Sequence, residues 1–270
     1  MRRGVVLFVI LALTVASAGS IRAQENDQSL AEQLANPISS LISVPFQYNY
    51  DCCYGPLDGE RHTLNIQPVI PTGISPDWNL IVRTILPVVG FTAPAQGFDD
   101  EFGLSDTVQS FFFSPKATKN GVTWGAGPVF LWPTATDADL GTDQWAAGPT
   151  FVILKQQSGW TSGVLTNHLW SYADASGGSL KPKVNATFIQ PFLAYTWPNS
   201  TTLSLNSEST YDWTAKQWNV PINLLVSHVY NFGSQPVSLA VGGRVYADSP
   251  SGGPDWGLRA VATFLFPTGG

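Results

Sequence analysis

The sequence has little charge, since 12% of its 270 residues are Asp, Glu, Lys or Arg. Ordinary soluble domains carry about 25%, so a soluble enzyme with a charged helical exterior is not expected. Cysteine is scarce as well, and two residues cannot build a disulfide-rich scaffold. Basic residues number 13 against 19 acidic ones and form no basic patch, which argues against a nucleic-acid partner.

Apolar runs long enough for a transmembrane helix are also missing, since such a helix needs about 20 residues. The first apolar run, Val5 to Leu13, follows two arginines and precedes several small residues. This order is typical of a secretory signal peptide, and we predict one over residues 1–23. The run is too short for the alternative, an uncleaved membrane anchor. The mature chain is therefore expected outside the cytoplasm.

A short periplasmic segment, residues 24–40, follows the predicted signal peptide. Ser29 and Glu32 match a capping box, and Leu30 and Leu34 recur at helical spacing. The pattern predicts a short amphipathic helix that closes the periplasmic mouth of the protein. A disordered leader is the alternative.

Beyond this segment, apolar and polar residues alternate up to the C-terminus. For example, Leu203 and Leu205 fall on one parity, whereas Asn206 and Glu208 fall on the other. Strands with one apolar and one wet face have this pattern. Twelve such segments are predicted, each about the length of a membrane-spanning strand. They are 41–50, 62–70, 78–89, 105–114, 122–132, 144–154, 160–172, 184–196, 202–211, 217–230, 237–247 and 255–266.

The connections between these segments also fit a membrane barrel. Outer-membrane barrels have short periplasmic turns and longer external loops, and the connections here alternate in length in this way. We therefore predict an all-β, antiparallel transmembrane β-barrel of about 12 strands over residues 41–266, with a tail at 267–270. The predicted external loops, which hold most of the acidic residues including Asp51, are 51–61, 90–104, 133–143, 173–183, 212–216 and 248–254.

Prolines inside the predicted strands conflict with a regular barrel. Proline cannot donate to the hydrogen-bond ladder and is confined to edges, strand ends and bulges. A closed barrel has no edges, so either these positions are bulges or strand ends, or some segments are misdrawn. The prolines concerned are Pro45, Pro68, Pro87, Pro128, Pro149, Pro191 and Pro221.

Several motifs together resemble one bacterial family. They include ISVPFQYNY at 42–50, DWNLIVRTILPVV at 77–89, WGAGPVFLWPTAT at 124–136, TFIQPFLAYT at 187–196 and WNVPINLLVS at 218–227. The family is the outer-membrane, transporter-like β-barrel group labelled "MetA-pathway of phenol degradation". The resemblance implies an outer-membrane barrel that moves small aromatic or hydrophobic molecules. It supplies no catalytic or binding residues to carry over.

The polar parity of the predicted strands supplies the candidate site. If Leu, Val and Ile face lipid, the polar residues face the lumen, where buried charges must pair or stay wet. Arg83, Glu208, Arg244 and Arg259 are the predicted constriction that selects solutes. A hydrogen-bonded plug made of the same residues is the alternative. The other predicted lumen residues are Asn65, Gln67, Asn167, Gln190, Asn206 and Asn223.

Four phenylalanines allow a second interpretation of the lumen. Phe111, Phe113, Phe188 and Phe192 either form an apolar path for aromatic solutes or face lipid, which is the commoner case.

Residues suited to covalent or metal chemistry are few and scattered. His62, His168 and His228 lie far apart without metal-ligand spacing, and none has a serine two residues later, as a barrel lipase would require. The adjacent Cys52 and Cys53 allow a strained disulfide, intermolecular pairing or free thiols. Three loop acids, which are interpreted as solvated tips or cation ligands, are Asp137, Asp139 and Asp143.

The sequence therefore predicts a channel or facilitator for small molecules in the outer membrane of a Gram-negative bacterium. Its predicted partners are membrane lipid and a small solute, and no cofactor, metal or enzymatic activity is predicted. A structural or surface barrel with a plugged lumen is the alternative function. A barrel-embedded lipid hydrolase is the third.

Overall fold

A computed structural model describes residues 26–92, 99–178 and 180–267. The predicted signal peptide and most of the predicted C-terminal tail lie outside these ranges. No helix within them is long and apolar enough to span a membrane.

Twelve antiparallel strands form one closed barrel, as predicted. Each strand pairs with its sequence neighbours, and the last pairs with the first over a register that runs from Ile42 opposite Phe266 to Cys52 opposite Trp256. The barrel strands are β1 (Ile42–Tyr54), β2 (Gly59–Ile66 and Val69–Gly73), β3 (Trp78–Phe91), β4 (Glu101–Leu104 and Thr107–Pro115), β5 (Val122–Trp132), β6 (Gln144–Gln157), β7 (Trp160–Asp174), β8 (Asn185–Thr196), β9 (Thr201–Ser207 and Ser209–Asp212), β10 (Gln217–Phe232), β11 (Gln235–Asp248) and β12 (Trp256–Phe266).

Alternation along each strand decides which side chains face out. On β10, Leu224 and Val226 are about half exposed on the outer surface, whereas Asn223 and Leu225 are buried inside. Successive side chains of a strand point to opposite faces, so a single strand contributes to both surfaces. The predicted parity is therefore present in the fold.

Prolines coincide with the breaks in β2 and β4. β2 is interrupted at Gln67 and Pro68, opposite Pro45 of β1, whose carbonyl accepts from the Gln67 N–H at 2.9 Å. The break in β4 lies opposite Pro87 of β3, which accepts from the Ser105 N–H at 2.9 Å. Proline has no backbone N–H to donate, and these prolines therefore lie opposite irregular positions of the neighbouring strand.

The break in β9 has the same cause. Glu208 lies between its two halves, flanked by Pro191 of β8 and by Pro221 of β10, where the register shifts. Pro128 and Pro149 lie opposite each other on β5 and β6, and each borders a gap in its other ladder. The prolines therefore lie at irregular positions or opposite them, although several are inside continuous strands. The twelve predicted segments are present, but the predicted loop 51–61 is too long, because β1 continues to Tyr54 and β2 begins at Gly59.

Tryptophans mark the two ends of the barrel wall. Trp78 and Trp124 stack edge to face at 5.9 Å at one end, and Trp132 and Trp145 do so at 5.6 Å at the other. The outer surface between them is made of Leu, Val, Ile and Phe. An apolar band between two aromatic girdles is the surface that a membrane barrel presents to lipid.

The two ends differ in their connections. Residue 42 of the first strand and residue 266 of the last lie together at one end, named the terminal end here. The connections at that end are short, as at 158–159 and 233–234. Those at the opposite end, named the loop end, reach the lengths of 133–143 and 175–184. The predicted alternation in length holds for four of the six loop-end connections, whereas 55–58 and 213–216 are short.

A helix over residues 26–34 lies across the terminal end, as the apolar spacing predicted. Its Leu30 and Ala31 are buried against Leu41, Val229 and Leu265. The helix is also held by hydrogen bonds to the barrel, because the Gln156 side chain donates to the backbone carbonyl of Glu32 at 2.8 Å. A disordered leader does not describe these residues.

Candidate functional site

Three cavities follow one another through the barrel interior. The vestibule, of about 180 Å³, lies at the loop end between Asp51, Tyr54 and Arg61. The central cavity, of about 290 Å³, follows and includes Gln47 and Phe188. The terminal cavity, of about 250 Å³, lies against the N-terminal helix.

Neighbouring cavities along the lumen share lining residues. Asn65 and Glu208 line both the vestibule and the central cavity. Arg83 and Gln190 line both the central and the terminal cavity. The lumen therefore has two polar necks, and all four side chains belong to the predicted lumen set.

The neck nearer the vestibule carries a network of paired charges. Both Glu208 carboxylate oxygens accept from Arg259, at 2.9 Å and 2.7 Å, and one also accepts from Arg244 at 3.2 Å. Arg244 donates in addition to Asp51, at 3.0 Å and 3.2 Å. Fork-shaped pairing of this kind is the strong form of a charge-assisted hydrogen bond.

Neutral side chains accept from the Nε donors of these arginines. Asn223 accepts from Arg244 Nε at 2.9 Å, and Asn49 accepts from Arg259 Nε at 2.7 Å. The amide group of Asn223 also donates to the side-chain oxygen of Asn206 at 3.0 Å. The network is therefore satisfied by the chain itself, as buried charges require.

Strand register builds this network. Asn223 lies directly opposite Arg244 across β10 and β11, and Asn49 lies opposite Arg259 across β1 and β12. Gly257 faces Arg244 on β12, and a Cβ atom there would approach the Asp51 carboxylate to 2.5 Å. Glycine at this position leaves the space in which the Asp51–Arg244 ion pair forms.

Most of the predicted constriction is brought together. Arg244, Arg259 and Glu208 are in direct contact, but Arg83 is not. Arg83 instead donates to the side chain of Gln67 at 3.2 Å. The other predicted residues line the cavities or join the network: Asn65, Gln67, Asn167, Gln190, Asn206 and Asn223. Their role in selecting solutes stays a prediction.

Two network residues were missed or misassigned. The prediction put Asp51 in the external loops, and this is wrong, because its side chain is buried in the lumen against Arg244. Asn49, which accepts from Arg259, was not singled out. Both follow Gln47 on the polar parity of β1, so the alternation that identified the other residues could have found them.

Two of the four phenylalanines lie where the predicted apolar path requires them. Phe188 and Phe192 face the lumen. Phe111 and Phe113 lie on the outer surface, since β4 points Phe112 inward, where it is fully buried. The lipid-facing alternative is therefore correct for those two.

One half of the lumen wall is apolar, which the sequence parity did not predict. Side chains from β3 to β8 form an inward cluster that includes Ile81, Phe112 and Leu165, and Ile38 of the N-terminal segment packs against it. The paired charges lie on β1 and on β9 to β12. The lumen is therefore apolar along one side and charged along the other.

Other candidate chemistry lies outside the lumen. Cys52 and Cys53 are joined to each other in a disulfide. The three loop acids do not gather as a set, because Asp137 and Asp139 lie beside Glu101 whereas Asp143 accepts from Ser176.

A histidine on the outer surface has two polar partners from the next strand. Nδ1 of His168 lies 2.7 Å from the Thr187 hydroxyl, and Nε2 lies 3.0 Å from Oδ1 of Asn185. Trp213 Nε1 donates to the same hydroxyl at 2.8 Å. In the tautomer with its proton on Nε2, His168 donates to the Asn185 oxygen and its Nδ1 accepts from the Thr187 hydroxyl.

Comparison with solved structures gives the same fold. An outer membrane channel from Pseudomonas putida F1 is similar with a TM-score of 0.64 at 14% identity, over 84% of this chain and 96% of that one. The outer membrane phospholipase A of Escherichia coli is similar with a TM-score of 0.47 at 10% identity, over 83% and 92% of the two chains. The KdgM porin is similar with a TM-score of 0.45 at 10% identity, over 84% of this chain and 99% of that one.

Sequence comparisons give nothing further. No family model matches the chain, and no curated protein sequence matches it. The structural likeness is a likeness of fold: a transmembrane β-barrel of the kind found in bacterial outer membranes.

Replacing Glu208 tests the charge network. In Glu208→Gln, Arg244 and Arg259 lose the charge that they share, and we expect a loss of about 2–3 kcal/mol in the free energy of unfolding. The double variant Glu208→Gln with Arg259→Gln should recover part of it, because one unpaired charge is also removed. The stabilities of both variants are measured by incubating the protein in increasing urea and following the folded, heat-modifiable band on a gel. Equal stability in wild type and Glu208→Gln would contradict the network.

Proposed function

We propose that the protein is an outer-membrane channel or facilitator for small, partly apolar molecules. The observation that carries the proposal is the succession of three cavities joined by shared lining residues. A barrel filled only by packed side chains would lack such a row of cavities. The fold, which is that of bacterial outer-membrane proteins, supports this location.

The two-sided lumen indicates the kind of solute. One side offers Leu165 and Phe188 to an apolar body, and the other offers amides such as Asn65 and Gln67 to a polar group. A small ring with one polar substituent satisfies both sides, since unpaired polar groups are costly in such a site. The resemblance to the "MetA-pathway of phenol degradation" family is in keeping with solutes of this class.

The N-terminal segment limits passage at the terminal end. Ala31, Leu34 and Pro37 line the terminal cavity, and Ile38 packs into the inner apolar cluster. A solute must therefore pass beside this segment or displace it. A gated facilitator fits this arrangement better than a wide, permanently open pore.

Deleting residues 26–40 tests the channel. The deletion leaves the ladder of β1 intact, because that strand begins at Ile42, and it removes the helix from the terminal cavity. We expect conductance in planar bilayers to rise severalfold above the low value of the full chain. The gel shift controls for folding. If neither protein conducts, the lumen is plugged and the structural alternative holds.

A second candidate function rests on His168, Thr187 and Asn185. A hydroxyl that donates to a histidine, which itself donates to an amide, has the arrangement of a nucleophile, a base and an orienting group. The three side chains are at the outer surface near Trp170 and Trp213. This is the level at which aromatic girdles meet lipid headgroups, so an ester of a membrane lipid is the substrate that such a trio would take.

Lipid hydrolysis by the folded protein tests this candidate. If the trio is catalytic, fatty-acid release from phospholipid vesicles should fall at least a hundredfold in Thr187→Val, which is nearly isosteric but has no hydroxyl. Thr201→Val is the matched control, because Thr201 contacts His228 at 3.0 Å, and no amide side chain in the described part of the chain bonds to that histidine. No release by the wild type, or equal release by both variants, would exclude the hydrolase.

A further inference from the structure

Arg83 differs from Arg244 and Arg259, whose charges are paired with carboxylates. It lies at the neck between the central and terminal cavities and donates to Gln67 at 3.2 Å. In the described ranges, that amide is its one side-chain acceptor, and no carboxylate forms an ion pair with it. A guanidinium group has five N–H donors, so most of the donors of Arg83 face the cavities.

The charges around Arg83 do not balance. Asp51 and Glu208 are the carboxylates of the network, and both are bonded to Arg244 or Arg259. Glu208 attracts Arg83 electrostatically but does not contact it. With Arg61 of the vestibule, which forms no ion pair within the described residues, four guanidinium groups share two carboxylates, and two formal positive charges are left over. A guanidinium charge that no carboxylate pairs with attracts an anion, which binds it through charge-assisted hydrogen bonds.

The space next to Arg83 suits an apolar body. Ile85, Leu165, Leu169 and Phe188 line the central cavity on the side away from the network. Its volume of about 290 Å³ is at the lower end of small-molecule sites. A single aromatic ring or a short aliphatic chain fits this space.

We propose that Arg83 binds the carboxylate of a small aromatic or aliphatic acid whose apolar body lies against Ile85, Leu165 and Phe188. The planar guanidinium binds a carboxylate through two parallel hydrogen bonds. Gln190, at the same neck, offers an amide donor to the bound oxygens. The inference rests on the proposed channel function, because a solute reaches Arg83 only through the lumen.

Flux through proteoliposomes tests the site with two probes of equal shape, benzoate and its neutral amide, benzamide. The half-saturating benzoate concentration should rise about tenfold in Arg83→Gln, as expected for the loss of one charge-assisted interaction. Benzamide carries no charge, so its half-saturating concentration should rise much less than that of benzoate. Lys155→Gln is the matched control, because it removes one positive charge from the outer surface of β6, and neither flux should change.

The possible results separate this site from the channel itself. Equal benzoate kinetics in wild type and Arg83→Gln, with both solutes passing, would overturn the carboxylate site and leave the channel standing. Passage of neither solute through the wild type would overturn the channel and the site with it.

A competition experiment on the unaltered protein does not depend on the folding of any variant. Added benzoate should inhibit benzamide flux more strongly than added benzyl alcohol does at the same concentration. Equal inhibition by the two compounds would contradict the proposal.

Discussion

Closure of the sheet is the constraint on which the rest of this structure depends. Because the last strand pairs with the first, backbone groups bond within the wall, and side chains alone distinguish lipid from lumen. Each strand must therefore carry two surfaces at once. The seven in-strand prolines are compatible with closure because they coincide with irregular positions such as Gln67 and Glu208. One of these irregularities leaves Glu208 at the neck of the lumen.

Much of the fold could be predicted from the sequence, because alternation, strand length and loop spacing are local properties. The polar lumen residues followed from the same parity. The apolar half of the lumen could not be predicted in this way, since Ile81 and Ile85 share the inward parity of β3 with Arg83 while apolar residues also occupy the outward parity. Contacts between distant strands, such as Asp51 with Arg244, depend on barrel closure and have no local signal.

The charges of the loops and of the lumen act on an anionic solute in opposite ways, since the loops oppose its entry and the lumen favours its binding. The chain carries a net charge of −6, with acidic loops that include Asp137 and Asp139 at the loop end. Such a field repels anions at low salt and is screened within about 10 Å at 0.1 M. The lumen, in contrast, holds excess positive charge at Arg61 and Arg83. A carboxylate solute would therefore enter more readily as ionic strength rises, and would then be retained at the neck.

Water access along the lumen is the central claim, and cysteine substitution measures it most directly. Thr210→Cys in the central cavity and Ser204→Cys in the terminal cavity should both react with a small, membrane-impermeant thiol reagent in the folded protein. Val226→Cys, on the outer surface, should stay unlabelled in the membrane. A cavity cysteine as unreactive as the one at position 226 would mean that the lumen is closed to solutes, and would contradict the account.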